Sequence, residues 1–171
     1  MAKALKDLYV NRAYADVTMS AANTVTFEQL NFAVGVFQGV ALKLIQVRYY
    51  PLKAAVQEIV AAADILHFGL TLRDDLANLD PTSLSVIDVQ NLMLTEARTA
   101  ESNLVNEPLI SDFSNLPGGG LLLPANPIYA AAHSAGFAAA AQVRFLLYYV
   151  FVQLTDRESI ELLQTIIPGN V

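Results

Sequence analysis

Gln142-Val-Arg-Phe-Leu-Leu-Tyr-Tyr-Val-Phe-Val-Gln-Leu154 constrains the fold more than any other stretch of the chain. Aromatic and β-branched residues fill it, and these are the residues that suit a pleated strand. At period two, Val143, Phe145, Leu147, Tyr149 and Phe151 share one face. Arg144, Leu146, Tyr148, Val150 and Val152 share the other. Both faces are mostly apolar, so the pattern predicts a long central strand covered on both sides. The aromatic stripe Phe145, Tyr148, Tyr149, Phe151 reads as core packing rather than a platform for sugars or bases.

The rest of the chain must supply partners for this strand, and its pattern is one of short extended runs. Tyr14–Ser20 and Thr24–Leu30 read as two short strands around a turn at Ala21-Ala-Asn23. In the second, Val25, Phe27 and Gln29 alternate with Thr24, Thr26 and Glu28, as in a half-buried strand. Val40–Tyr50 is a long strand closed by Pro51, with Ile45, Val47 and Tyr49 on one face and Leu44, Gln46 and Arg48 on the other. Residues 53–64 read as a loop or short helix, followed by a strand from Ile65. Val86–Leu94 fits helix or strand equally. Leu121–Ala132 is extended, and Pro124 and Pro127 predict that it lies at a sheet edge. Thr155-Asp-Arg-Glu158 matches a capping box and opens a C-terminal helix over 155–167. Many short strands, one clear helix and no internal repeat predict a mainly β chain: an antiparallel β-sandwich, for which the single jelly roll is the recurrent eight-stranded form. Residues 1–13 read as an N-terminal arm and 14–171 as the domain.

Composition narrows function. Hydrophobic residues make up 54% and charged residues only 15%, against roughly 25% charged in an average domain. Much of the surface is therefore uncharged, which points to burial against other chains. The chain has no Cys, which removes thiol enzymes, thiolate zinc sites and disulfide scaffolds. Ten Lys and Arg against sixteen Asp and Glu give a net charge of −6, which disfavours a nucleic-acid binder with a basic surface. Residues 113–143 carry no formal charge, but their prolines and the Gly118-Gly119-Gly120 triplet exclude a spanning helix, so no membrane insertion is expected.

No catalytic constellation stands out, and no metal or cofactor is expected. His67 and His133 lie far apart in sequence without a His-x-His pair, and read as ordinary structural or surface residues. Asp74, Asp75 and Asp80 could offer hard oxygen ligands to a cation, but they lack the calcium-loop pattern, and a solvated acidic turn is the favoured reading. Pro117-Gly-Gly-Gly120 lacks a following Gly-Lys-Ser/Thr and reads as a flexible hinge at the surface. Arg48 and Arg144 lie mid-strand; either points to solvent or pairs with an acid of an adjacent subunit, the solvent reading being favoured. Leu121, Leu122 and Leu123 on an extended strand must face both sides. At least one should lack a pocket in its own chain, so these three and Tyr129 are the candidate subunit-interface residues. The alternative is an internal loop folded over its own domain.

The order of features resembles the single jelly-roll capsid proteins of small icosahedral viruses. It runs from the short arm through the Thr24-Val-Thr-Phe and Leu42-to-Tyr50 strands to the Gly-rich turn before Leu121-Leu-Leu-Pro-Ala-Asn-Pro-Ile-Tyr. The long strand over 143–154 and the Thr-Asp-Arg-Glu helix complete it. The Gly-Gly-Gly-Leu-Leu-Leu-Pro and Tyr-Tyr-Val-Phe-Val-Gln-Leu-Thr-Asp blocks are similar to phrases in coat-like proteins of uncultivated viruses. The resemblance implies a non-enzymatic coat subunit in the virion that assembles with itself, alone or with other coat proteins, into an icosahedral shell. Many such proteins carry an Arg/Lys-rich arm; here only Lys3, Lys6 and Arg12 stand there, which implies weak contact with nucleic acid at most. The alternative function is a jelly-roll binding module for carbohydrate or protein, against which the absence of Trp counts.

Overall fold

The computed structural model describes residues 10–32, 39–52, 55, 59–61, 63–93, 108–124 and 127–166. Nine strands form two antiparallel sheets among them. Sheet one runs β1 (Asn11–Thr18), β9 (Gln142–Gln153), β3 (Val40–Pro51) and β6 (Leu109–Asp112), with β7 (Leu121–Pro124) also paired to β3. Sheet two runs β2 (Thr26–Leu30), β8 (Ile128–Ala135), β4 (Ile65–Thr71) and β5 (Val86–Met93). The pairs are nested: first strand with last, β2 with β8, β3 with β6 and β7, β4 with β5. A long antiparallel hairpin rolled into two layers gives this order, and that is the jelly roll. Helix α1 (Asp156–Ile166) lies against β7. Its capping box forms: Thr155 N–H donates to Glu158 Oε2 at 2.8 Å and Glu158 N–H to Thr155 Oγ1 at 3.3 Å. No helix among the described residues is long and apolar enough to cross a membrane.

The core lies between the sheets. Leu42, Leu44, Val47, Tyr49, Val143, Phe145 and Leu147 face inward from sheet one. Leu66, Phe68, Leu70, Ile128, Ala130 and Ala132 face them from sheet two. The alanines of β8 make room for the rings opposite, so large and small side chains interlock. Tyr49 packs on both Phe68 and Phe145, with ring centroids 5.3 Å apart in each case.

Four expectations change. First, the faces of β3 switch midway. A β-bulge between Leu44 and Gln46 adds one residue, so Leu42 and Leu44 share the buried face with Val47 and Tyr49 while Ile45 turns outward. Phe113 N–H takes the Ile45 carbonyl at 2.8 Å, at the point where β6 gives way to β7 along the same edge. Second, Leu121–Ala132 is two strands in different sheets. β7 borders β3, but β8 is central, and neither proline interrupts a ladder because Pro124 ends β7 and Pro127 precedes β8. Third, the alternation in β2 points the other way: Leu30 is buried, and register with β8 sets Phe27 beside Ala131 on the outer face. Fourth, β9 is central, but among the described residues only one of its faces is covered. Its second face is half-exposed, with Arg144 open to solvent.

β1 begins at Asn11; residues 1–9, most of the expected arm, lie outside the described residues. So do most of residues 53–58, which the loop-or-helix reading covered. The ambiguous Val86 segment is strand β5.

Candidate assembly surface and histidine cleft

The outer face of sheet one is built from the outward residues of β1, β9, β3 and β6. Register places Arg12 opposite Tyr148, Tyr14 opposite Leu146, and Asp16 opposite Arg144. On the other side of β9, Leu146 pairs with Arg48 and Tyr148 with Gln46. Tyr14 is 77% exposed and Ile110, on β6, 49%.

Cations hold this aromatic face in shape. The Arg12 guanidinium lies 5.6 Å from the Tyr148 ring centroid and that of Arg48 5.1 Å, within cation–π range. Arg48 Nε also donates to Gln46 Oε1 at 2.8 Å. Arg144 makes a two-pronged pair with Asp16, at 2.7 and 2.8 Å. That hydrogen bonding holds the Asp16 carboxyl below the usual carboxylate range, against the desolvation that opposes it. The acid that Arg144 meets is thus the cross-strand neighbour in its own chain. Tyr148 is not core but the ring between two arginines. Two open clefts of ≈ 360 and ≈ 370 Å³ indent the face. One lies among Arg12, Ile45, Arg48, Asp112 and Tyr148, the other among Tyr14, Tyr50, Pro51 and Leu146.

The outer face of sheet two is different. Thr71 and Ala131 point outward by register with β8, yet both are fully buried. The loop after β4 lies against this face: Leu79 lines a cleft with His67 and His133 and is only 5% exposed although it stands outside the core between the sheets. What stays open is a cleft of ≈ 320 Å³ between Asn78, Leu79, Asp80, Pro81 and the two histidines. His67 and His133 are direct cross-strand partners, stacked with centroids 5.7 Å apart and planes within 16°. His67 Nδ1 meets Asn91 Oδ1 at 2.6 Å. Burial, then the facing His67, pushes His133 below the ordinary histidine value. Sequence spacing hid this pair, because the antiparallel register of β4 and β8 alone brings the two residues together.

The expected interface residues are not gathered in one place. Leu123 is in the core and Leu121 packs against it, while Leu122 faces outward beside Lys43, half-buried. Tyr129 is half-buried on the outer face of the other sheet. Gly118 and Gly119 stand in open space with left-handed φ of 90° and 73°, and Lys43 Nζ donates to the Gly118 carbonyl at 3.2 Å. Asp75 is gripped by Arg73 at 2.6 and 2.8 Å, and Asp80 caps the Thr82 N–H and hydroxyl at 2.8 and 2.7 Å. Lys3 and Lys6 lie outside the described residues.

No protein-family model matches the chain, and no curated protein matches it in sequence. Among solved structures it is similar to Merkel cell polyomavirus VP1 in complex with 3'-sialyllactosamine. Identity is 6%, with 91% of this chain and 99% of that chain covered, at a TM-score of 0.51. The VP1 pentamer of human polyomavirus 6 is matched at 12% identity, 91% and 98% coverage and a TM-score of 0.44. The likeness to the Merkel cell polyomavirus chain is one of fold, and it agrees with the strand order: this chain is an antiparallel jelly-roll sandwich.

Proposed function

We propose that this chain is a coat subunit of a viral capsid, a non-enzymatic protein that assembles with itself into an icosahedral shell and resides in the virion. The observation that carries the reading is the outer face of sheet one. It is a sheet face of Tyr14, Leu146, Tyr148 and Val150, rimmed by Arg12, Arg48 and the Arg144–Asp16 pair, and none of the described residues covers it. A stable contact buries about 800 Å² on each partner, and a shell subunit makes several, which suits a chain with 15% charged residues. The fold likeness to a polyomavirus VP1 supports the same reading.

In this reading Leu122, outward on β7, and Tyr129, outward on β8, belong to further contacts, while Leu121 and Leu123 anchor β7 from within. Contact with nucleic acid, through Lys3, Lys6 and Arg12 at most, is weak in this reading and falls steeply with salt. The test is light scattering and electron microscopy of the purified chain across salt and pH. Closed particles in the megadalton range, formed without added nucleic acid, are expected. Monomer or dimer under every condition overturns the reading. Leu122→Asp should stay folded and form fewer particles; normal assembly removes Leu122 from the interface.

A further inference from the structure

We infer that His67 and His133 form a binding site for a divalent transition-metal ion of the copper or zinc class. Three features of the pair support this site. The two rings are adjacent and nearly parallel, 5.7 Å between centroids, on two central strands whose register fixes their spacing. They stand in a cleft rather than on a flat face, with room beside them for an ion and its waters. Asn91 Oδ1 can only accept a hydrogen bond, so in the neutral ring His67 Nδ1 carries the proton and Nε2 presents its lone pair. This is the outer partner that orients a ligating histidine in metal sites.

Imidazole nitrogen suits copper, zinc and nickel, with copper bound most tightly among the divalent ions of the first row. The χ2 torsion of histidine is broad, so the His133 ring can turn toward an ion on His67 Nε2 without moving the backbone, while Asn91 keeps the His67 ring in place. Among the described residues no third His, Cys, Asp or Glu completes a cluster around the pair. Asp80 stands at the rim of the cleft with Oδ1 committed to Thr82. The site is therefore a two-nitrogen one whose remaining positions are filled by water.

The experiment titrates the full chain with Cu²⁺ alone, read by electron paramagnetic resonance, and with Zn²⁺ alone, read by calorimetry. One ion per chain is expected, with the copper spectrum showing coupling to two imidazole nitrogens. His67→Gln and His133→Gln should each weaken binding at least tenfold and erase the two-nitrogen signature. Asn91→Ala should weaken it less than either while keeping both nitrogens. Absence of stoichiometric binding in the unaltered chain, or a copper spectrum without two imidazoles, overturns the proposal regardless of how the variants fold. Binding that survives unchanged in either histidine variant overturns it as well.

Discussion

The two sheets of this sandwich treat their outer faces in opposite ways. Sheet two carries small residues at the centre of its outer face, Gly69 and Ala131, and lays its own loop against that face, with the buried Leu79 beside His67 and His133. Sheet one carries long aromatic and cationic side chains there and no roof among the described residues, so Tyr14 stands 77% exposed. A roofed face stabilises the monomer by itself. An unroofed apolar face gains its burial only when another molecule arrives. The difference separates what this chain needs in order to fold from what it has left to offer a partner.

The largest effect should come from filling the small-residue face. A Cβ on Gly69 would stand 2.1 Å from the Asp88 carbonyl oxygen, just before the β4–β5 register shifts between Leu70 and Thr71. Backbone must move to admit it, so Gly69→Ala should cost more than about 3 kcal/mol, measured by urea denaturation. A cost below ~1 kcal/mol would mean that β4 and β5 part easily and that the tight packing of this face is not structural.

Removing the roof comes next. Leu79→Ala should cost about 2–3 kcal/mol, the lower part of the range for a buried leucine, because only one layer lies over it. Truncating Tyr14 to Ala, on the open face, should change stability by less than about 0.5 kcal/mol. Equal costs would erase the contrast between the faces.

Between the two layers, the edge formed by β5 and β6 is closed by polar groups. Tyr49 O–H donates to Asp88, Ser111 Oγ donates to the same carboxylate oxygen at 2.5 Å, and Gln90 Nε2 donates to Ser111 at 2.9 Å. Burial, then the charge of Asp88, raises the Tyr49 hydroxyl well above 10.0. The folded chain therefore keeps this proton where the unfolded chain gives it up. Stability from Tyr49 is complete below pH 10.0 and is lost as pH rises past it, at about 1.4 kcal/mol per pH unit. Tyr49→Phe should cost about 2 kcal/mol at neutral pH and flatten that alkaline loss, read from denaturation midpoints between neutral and alkaline pH. An unchanged alkaline slope would show that the hydroxyl is not held neutral.

Period-two patterning made β9, β3 and the class of fold legible, because inward residues of a sandwich alternate along each strand. It failed where one residue changed the phase. The bulge at Ile45 leaves no mark in composition, and it moved Leu44 to the core and Ile45 to the outer cleft. The proline argument succeeded for β7 and failed for β8, since Pro127 stands just outside the strand it was expected to weaken. Partners across strands were the least legible. Asp16 and Arg144, His67 and His133, and Tyr49 and Asp88 are set by register, and register is a property of two segments that no single window contains. Thr155 and Glu158 were legible because a capping box is local.

A charge placed in the middle of the open face says most about that face. Leu146 is half-buried at the middle of β9, flanked by Tyr14 on β1 and Arg48 on β3. An aspartate there reaches solvent without displacing the core, since Phe145 and Leu147 face the other way. Arg48 stands directly across, so the new carboxylate has a cation to meet. Leu146→Asp should therefore cost about 1 kcal/mol, close to the spread of strand preferences among residues. A neighbouring copy covering this face would bury the added charge with Arg48, and desolvating such a pair costs more than the monomer loses. Particles should vanish from the scattering profile while the melting transition stays nearly where it was. If the variant assembles normally, contacts between copies use another surface; if it unfolds, the outer face of sheet one is part of the fold, and the contrast between the two sheets does not hold.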